Sequence, residues 1–412
     1  MKKWNAYIIL LLSIILGSCN MEDKLSSDKG DKEDITVRII LSMMDSRADS
    51  RASYTPPSES DYTLGSNNEY YINQYDVEVL VFDSEKKFVE RASLVQAEAT
   101  ETQYIYELTG TLSNVVEDEE YQIVVLANKS GSAYCSNFPS SFTVGSTMDD
   151  VLEALTYGNY SVDFTEYLLG KNNSMGRIPM WGVKNVTLKD GESITINMLR
   201  AMAKIRVNLD VDGYTLSNVT LNNANPGGFF TPSMEKGITT AGITANVSEV
   251  RIPEGLTQLE SLAFEKVNDS YIIYVPECYT FSEDSEGAKT AETYITVELK
   301  DNGGNEVDLE GNDKLYFREY RATDETAGIV NGSFFDIVRN YFYDYTITAV
   351  NTSSEEVSLN IQYQVMGWTS VTNPNLTFGN DYGNVLEGES ASPDPSNDNG
   401  TGTETGDASV TN

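Results

Sequence analysis

The chain of 412 residues contains no histidine, and this absence excludes several kinds of chemistry. Without an imidazole base, neither a Ser-His-Asp triad nor a Cys-His pair can be assembled. Zinc sites that use His are excluded too, and three Cys cannot build an all-cysteine tetrahedral site. Carboxylate catalysis and oxygen-ligand metal sites survive, but 63 acidic residues give such pairs no specificity. We therefore predict no enzymatic activity, no cofactor and no metal site.

Basic residues are scarce as well. There are 28 Lys and Arg against 63 Asp and Glu, which gives a formal net charge of −35. Because neutralising nucleic-acid phosphates requires clustered Lys and Arg, we predict no nucleic-acid partner. A chain of this length has room for two or three domains with real hydrophobic cores. Together these exclusions favour a binding or structural protein.

The N-terminus has the layout of an export signal. Two lysines precede the apolar run Tyr7–Leu16, which is shorter than the roughly 20 residues of a membrane-spanning helix. The run ends in Leu-Gly-Ser-Cys at 16–19, which resembles the bacterial lipobox. We predict that residues 1–19 are a lipoprotein signal peptide and that Cys19 is lipidated, which anchors a protein without a spanning helix. The alternative is an ordinary signal peptide in which Cys19 is incidental.

The body of the chain has the pattern of many short strands. Strands are predicted at 35–43, 75–82, 104–112, 121–127, 194–198, 203–209, 217–221, 271–275, 294–299, 343–349 and 357–365. Helical signals are few, and one is 148–156, with Ser146 or Thr147 available as its cap. The run Asp301–Asn305 predicts a tight turn rather than a calcium loop, because it does not fit the EF-hand spacing.

Short strands separated by polar turns predict an all-β fold of two tandem β-sandwich domains with few short helices. A boundary near 197–200 divides the compact body, residues 34–380, roughly in half. We place a tether and the first strand at 20–51, one sandwich at 52–198 and the other at 199–380. Residues 381–412 contain no Lys or Arg and few apolar residues, so we predict an acidic disordered tail.

Several local motifs, in order behind the lipobox, resemble one family. They are Val77–Asp83, Ile178–Gly182, Leu199–Ile205, Tyr274–Glu277, Asn340–Ile347 and Tyr363–Trp368. Over about residues 35–380 the chain is similar to the fimbrillins of Bacteroidetes, the FimA-like and Mfa-like subunits of type V pili. The ending, Trp368 with Pro374–Gly379, looks most similar to shaft subunits of the minor, Mfa-like type. The resemblance implies transthyretin-like sandwiches and a structural role in a cell-surface fimbrium that supports adhesion and biofilm formation.

The resemblance also implies a maturation pathway. A lipidated precursor reaches the outer membrane, a trypsin-like protease cuts after an Arg beyond the first strand, and a strand from the next subunit fills the vacated groove. The residues of the removed strand that alternate onto one face are Ile35, Val37, Ile39 and Leu41. Cleavage is expected after Arg51 or Arg47, in a small, polar stretch that predicts an exposed loop. The implied partners are other copies of the chain and related pilus subunits.

Two C-terminal segments are candidates for the donor strand. Segment 357–365 has alternating apolar residues, which are Leu359, Ile361, Tyr363 and Val365. Segment 369–378 contributes Val371, Leu376 and Phe378. For the first segment we favour an internal strand of the second sandwich, and for the second segment we favour the donor role.

The alternative function is a carbohydrate-binding surface lipoprotein that does not polymerise. The chain has 25 Tyr and three Trp, which could form sugar-stacking platforms, and Trp181 is one of the three. The Tyr candidates are Tyr70, Tyr71, Tyr341 and Tyr343. Aromatic residues also favour strands and cross-strand pairs, so we expect them in the core or on sheet surfaces. Cys135 and Cys278 lie far apart in the chain, and we expect both to be free thiols.

Overall fold

The structure is a computed structural model. It describes residues 34–42, 69, 71–73, 75–99, 105–129, 139–158, 165, 177–232, 238–239, 242–243, 250–283, 289–322, 329–334, 336–353, 356–367, 380–381 and 384–385. Within these ranges the chain forms β-strands and the short α-helix α1 (Met148–Glu153). The prediction of an all-β fold is confirmed.

Strands of the N-terminal half form two sheets. In chain order they are β1 (Ile35–Ser42), β2 (Val77–Asp83), β3 (Phe88–Arg91), β4 (Ser93–Ala99), β5 (Ile105–Leu112), β6 (Glu120–Ala127), β7 (Thr156–Tyr157), β8 (Met180–Thr187), β9 (Ser193–Asn197) and β10 (Leu199–Arg200). One sheet has the order β4-β5-β1-β9 and the other β10-β8-β6-β2-β3. All neighbours are antiparallel except β1 and β9, which run parallel.

Strands of the C-terminal half repeat this arrangement. They are β11 (Ala203–Leu209), β12 (Tyr214–Ala224), β13 (Gly228–Phe229), β14 (Ile238–Thr239), β15 (Gly242–Ile243), β16 (Leu259–Ala263), β17 (Glu265–Val267), β18 (Ser270–Val275), β19 (Phe281–Glu283), β20 (Lys289–Ala291), β21 (Tyr294–Asp301), β22 (Lys314–Tyr316), β23 (Arg318–Ala322), β24 (Ile329–Phe334), β25 (Tyr341–Ser353), β26 (Glu356–Gly367), β27 (Asn380–Asp381) and β28 (Asn384–Val385). The main sheets have the orders β17-β18-β11-β25-β26 and β16-β12-β21-β22. Two sandwiches therefore follow each other along the chain, as predicted.

The sequence pattern explains which faces are buried. In β9 and β21, apolar and polar residues alternate, and so do buried and exposed side chains. Strand β2 is buried on both faces, although one of them includes the charged Glu78. Phe88 of the neighbouring β3 contacts both Phe82 and Phe142, with ring centroids 5.7 and 5.5 Å apart. These ring contacts help to close this face of β2 to solvent.

The predicted strands and the turn are present, with ends shifted by a few residues. Helix α1 begins at its predicted cap, where the Asp150 N–H donates to Thr147 Oγ1 at 3.2 Å. At the predicted tight turn the Asn305 N–H donates to Asp301 Oδ1 at 2.8 Å, and Gly304 has a φ of +80°. Of the predicted tail, the structure describes residues 381, 384 and 385, which lie in the short β27–β28 ladder.

The two sandwiches meet along a seam. Strand β7 of the N-terminal half pairs antiparallel with β13 of the C-terminal half. The chain passes from one sandwich to the other between β10 and β11, close to the predicted boundary at 197–200. Strands β9, β10 and β11 thus lie in three different sheets, although they follow each other within residues 193–209. This short stretch connects the first sheet directly to the second sandwich.

Candidate assembly site

Strand β1 lies inside its sheet rather than at an edge. On one side it pairs antiparallel with β5, with residues 35–42 opposite 105–112. On the other side it pairs parallel with β9, with residues 38–42 opposite 193–197. We call the space that β1 occupies between these two strands the assembly slot. If β1 left, both walls of the assembly slot would present unpaired backbone groups.

The inward face of β1 is apolar and closed to solvent. Ile35 is 4% exposed, and Val37, Ile39 and Leu41 are fully buried. The intervening Thr36 is exposed. Burying an aliphatic side chain of this size contributes roughly 1.5–3 kcal/mol, so these four residues dominate the attachment of β1.

Apolar side chains of β5 and β9 form the walls of the assembly slot. They are Tyr106, Leu108 and Leu112 on β5 and Ile194 and Ile196 on β9. Opposite Val37 stands Gly110, where an added Cβ would lie 3.3 Å from Leu94 Cδ2 and 3.7 Å from Val37 Cγ2. The missing side chain at Gly110 leaves the room that Val37 and Leu94 fill.

Gly182 of β8 sets the position of the β9 wall. A Cβ on Gly182 would come within 2.6 Å of Ile196 Cγ2, 2.7 Å of Asn197 O and 2.8 Å of Met198 Sδ. Because one of these atoms belongs to the backbone, a side chain at this position would push β9 away from the second sheet. Ile196 stands opposite Leu41 of β1, so Gly182 permits the close approach of β8 to β9 beside the assembly slot.

Polar contacts mark both ends of the assembly slot. At the N-terminal end of β1, the Gly191 N–H donates to Thr36 O at 2.8 Å, and the Thr36 N–H donates to Asp190 Oδ1 at 2.9 Å. At the other end, the Ile72 N–H donates to the Tyr106 hydroxyl at 3.2 Å. The chain downstream of β1 therefore returns to the wall of the same slot.

The outward face of β1 carries one charged residue, Arg38, which forms an ion pair with Glu107 of β5. Both nitrogens of the Arg38 fork take part, since Nε donates to Oε1 and Nη2 to Oε2. The two side chains are 52% and 27% exposed. The hydrogen bonds from Arg38 lower the pKa of Glu107. This pair lies at the mouth of the slot rather than in its apolar interior.

A second group of polar side chains lies at the seam and is fully enclosed. This seam cluster consists of Glu69, Arg200, Lys204 and Tyr274. Glu69 Oε1 accepts from Lys204 Nζ at 2.7 Å and from the Tyr274 hydroxyl at 2.6 Å, and Arg200 Nε donates to Glu69 O at 2.8 Å. Burial by itself raises the pKa of Glu69, but the charges of Lys204 and Arg200, together with the hydrogen bonds from Lys204 and Tyr274, hold the pKa below its ordinary value. The segment that contains Glu69 is thereby tied to the second sandwich.

Several predicted site residues lie outside the described residues. They are Cys19, Arg47, Arg51, Val371, Leu376 and Phe378. In contrast, Leu359, Ile361 and Tyr363 are buried in β26, and Val365 of the same strand stands opposite Tyr343 of β25. Segment 357–365 is therefore a strand of the second sandwich, the alternative that we favoured for it.

Tyr341, Tyr343 and Trp181 are at most 4% exposed, so they lie in the core, the placement that we favoured over sugar-stacking platforms. The Tyr343 hydroxyl donates to Asp336 O at 2.9 Å, and burial raises its pKa well above the ordinary value. Tyr71 is half-buried beneath the Arg177 guanidinium, 5.6 Å from the ring centroid, and Tyr70 lies outside the described residues. Tyr341, Tyr343 and Trp181 therefore fill space in the fold instead of forming a platform.

Other sites for chemistry are limited in the part of the chain that the structure describes. It contains no cluster of three or more His, Cys, Asp or Glu side chains able to hold a metal, and no helix long and apolar enough to cross a membrane. Cys278 is a free thiol, and its burial raises its pKa to about 12. Such a thiol is protonated and unreactive at neutral pH.

Sequence reasoning missed three features of this region. It did not predict the parallel pairing of β1 with β9, the roles of Gly110 and Gly182, or the burial of Glu69. Gly182 does lie in one of the family-like motifs, which was a usable signal. Glu69 gave none, because it lies in a polar stretch and its partners are 131 to 205 residues away in the chain.

Two tandem β-sandwiches, in which the first strand of the body completes the first sheet, define a class of structural all-β protein. The family model of the fimbrillin-A associated anchor proteins Mfa1 and Mfa2 matches residues 59–374, and the chain belongs to this family. The resemblance to fimbrillins is confirmed. Membership identifies the chain as a pilus-associated structural protein of the cell surface. No curated protein sequence matches the chain.

Three solved bacterial proteins are similar to this chain at low sequence identity. The tip fimbrial protein Mfa3 of Porphyromonas gingivalis, with a C-terminal truncation, is 13% identical with a TM-score of 0.47, covering 82% of this chain and 100% of that one. A cell adhesion protein of Parabacteroides distasonis is 14% identical with a TM-score of 0.43, covering 82% and 98%. One from Bacteroides eggerthii is 12% identical with a TM-score of 0.42, covering 82% and 97%.

Proposed function

We propose that this chain is a fimbrial subunit that polymerises by strand exchange after its first strand is removed. The observation that carries the proposal is the position of β1, which is central in its sheet, fully apolar on its inner face and close to the chain terminus. A central strand is normally hard to remove without unfolding a sheet. Here a single cut on its C-terminal side would leave β1 held by non-covalent contacts alone.

The covalent connection of β1 supports this order of events. Residues 43–68 join β1 to the seam cluster, and Arg47 and Arg51 lie within them. A cut after either Arg by a trypsin-like protease would break none of the described strands. Glu69 and Ile72 would remain attached to the second sandwich and to the slot wall. The trimmed chain would thus keep both sandwiches while it loses its hold on β1.

An opened assembly slot has the properties that strand addition requires. Its two walls would expose unpaired N–H and C=O groups together with the apolar surface that β1 covers now. A strand from another subunit would satisfy both at once, as in known cases of β-strand addition. We propose segment 369–378 as the donor, because segment 357–365 is already used in the sheet of its own subunit.

We propose that the pathway begins at the outer membrane, where the lipid on Cys19 holds the precursor until cleavage. The lipid, the tether and β1 all lie on the N-terminal side of Arg47, so one cut would release the subunit from the membrane and open its slot. Polymerisation would then be coupled to release, and the polymer would serve adhesion and biofilm formation. A position in the shaft is part of the same proposal.

The proposal is tested with the Arg47→Ala/Arg51→Ala double variant. Precursor treated with a trypsin-like protease should give oligomer ladders on a denaturing gel when unboiled and monomers after boiling, and the double variant should give monomers only. Each single variant assigns the cut, which we expect after Arg51. Lys189→Ala, which alters another exposed basic residue, is the matched control and should assemble normally. If the double variant still forms ladders, the maturation site is wrong.

A further inference from the structure

The ion pair at the mouth of the assembly slot indicates what kind of strand the slot selects. Resting on the proposed strand exchange, we propose that Glu107 is a specificity-determining residue, which favours incoming strands with Lys or Arg at the outward position that Arg38 occupies. The inward positions cannot provide this selectivity, because burial of aliphatic side chains is non-directional and many alternating strands would fit. A charge at a fixed outward position adds a requirement that few of them meet.

The residue of β1 directly opposite Glu107 does not supply the positive charge. In the register of the sheet this residue is the uncharged Ile40. Arg38 reaches Glu107 from the adjacent outward position. An incoming strand with a neutral or acidic residue at that position would leave Glu107 without this ion pair.

The sequence of this chain shows which strands fail the requirement. Arg339 is its last basic residue, and residues 340–412 contain neither Lys nor Arg. Both candidate donor segments, 357–365 and 369–378, lie in that region. A second copy of this chain can therefore fill the slot, but it would enter without this ion pair. A strand from a different subunit that carries a basic residue between its second and third inward apolar residues is expected to bind about two- to five-fold more tightly.

Peptide exchange tests this selectivity directly. We would replace residues 47–51 of the full chain by the recognition sequence of a site-specific protease, cut there, and measure by fluorescence anisotropy how labelled peptides displace the cut first strand. The reference peptide has the sequence of residues 34–42. Its Arg38→Gln form should bind about two- to five-fold more weakly, and its Arg38→Glu form more weakly still. A Thr36→Gln peptide, altered at another outward position, is the control and should bind like the reference.

The charge-reversed slot separates a specific contact from a general loss of fit. In the Glu107→Lys chain the order should invert, so that the Arg38→Glu peptide binds more tightly than the reference. An unchanged order in this variant, or equal binding of all peptides to the natural slot, would overturn the role of Glu107 and leave strand exchange standing. Failure of every peptide to enter the cut protein would overturn strand exchange itself, and the selectivity with it.

Discussion

The assembly slot and the seam cluster hold their segments in opposite ways. Strand β1 is held by ladder hydrogen bonds and four aliphatic side chains, and its one ion pair is exposed to solvent. Glu69 is held by buried, charged partners at fixed distances. The first kind of attachment depends on a pattern that another strand can supply, whereas the second depends on particular residues. A strand meant for replacement and a joint meant to persist are expected to differ in this way.

Two glycines at the seam lie where there is no room for a side chain. An added Cβ on Gly227 would lie 2.4 Å from Tyr157 O, and one on Gly228 would lie 2.7 Å from the Tyr157 hydroxyl oxygen. That hydroxyl donates to Ala201 O at 2.7 Å, so Tyr157 cannot easily move aside. The β7–β13 ladder is therefore possible only because both glycines lack a side chain. Neither of these contacts could be satisfied by a different chain.

The largest expected loss of stability comes from a change in the seam cluster. Glu69→Ala removes the acceptor and leaves Lys204 and Arg200 buried without its charge, which should reduce the free energy of unfolding by about 3–5 kcal/mol. Chemical denaturation of the full chain measures it. The double variant Glu69→Gln/Lys204→Met, which removes both charges, should lose less. A loss in Glu69→Ala below that of the double variant would contradict a seam held by charge.

Ile39→Ala weakens the attachment of β1 in the assembly slot and should cause the next largest loss of stability. The change leaves a cavity beneath the centre of β1 and should cost about 3 kcal/mol in the precursor. In chains cut between β1 and Glu69, the same change should speed the loss of β1, which mass spectrometry of the released peptide measures. Ile39→Val is the matched control, and its smaller cavity should cost about 1 kcal/mol. Equal loss rates for the two variants would show that aliphatic burial does not hold β1.

Gly182→Ala tests whether the β9 wall of the slot, like the seam, requires a glycine beside it. The added methyl collides with the backbone of β9, and overpacking of this kind costs about 1–3 kcal/mol. Gly110→Ala, on the other wall, comes closest to the end of the Leu94 side chain, has only side-chain atoms as its nearest neighbours and should cost less. Unfolding midpoints of the two precursors provide the measurement. The opposite order would show that β5, and not β9, is the rigid wall.

Mild acid should weaken the stabilisation by Glu69 in the seam cluster, and this is the smallest of the expected effects. Because the folded-state pKa of Glu69 lies below its unfolded value, the unfolded chain binds protons first as pH falls. The stabilisation by Glu69 is thus fully present above its unfolded pKa of about 4.3 and declines below it, by less than about 1 kcal/mol at pH 4. Glu69→Gln should lack this part of the pH dependence. Identical pH profiles of wild type and Glu69→Gln between pH 7 and pH 3 would refute it.

The strands were predictable because alternation is a local property of the chain. In β9 both apolar residues mark the buried face directly, as do the aliphatic residues of β21, and the turn at Asp301–Asn305 is encoded in its own five residues. The second sandwich and the internal position of segment 357–365 followed from the same pattern. Strand β8 was not predicted, since its first residues, Met-Trp-Gly-Val, are buried on both faces and do not alternate.

Long-range contacts were not predictable from such patterns. The parallel pairing of β1 with β9 joins segments more than 150 residues apart, since Thr36 contacts Asp190 across a separation of 154. Alternation in either strand is compatible with many neighbours. The need for glycine at 182 likewise arises only when β8 and β9 are brought together. These features depend on which strands meet, and no short window of sequence contains that information.

By itself the sequence determined the all-β class, the two successive sandwiches and the apolar face of the first strand, because each follows from composition and period-two alternation. Only the tertiary structure decided that this first strand is central, that Glu107 stands at the mouth of its slot, and that Glu69 is buried between Lys204 and Tyr274. The physical reason is that strand pairing and charge pairing are set by distance in space. Backbone hydrogen bonds and ion pairs act over a few ångströms, whatever the separation of the residues along the chain.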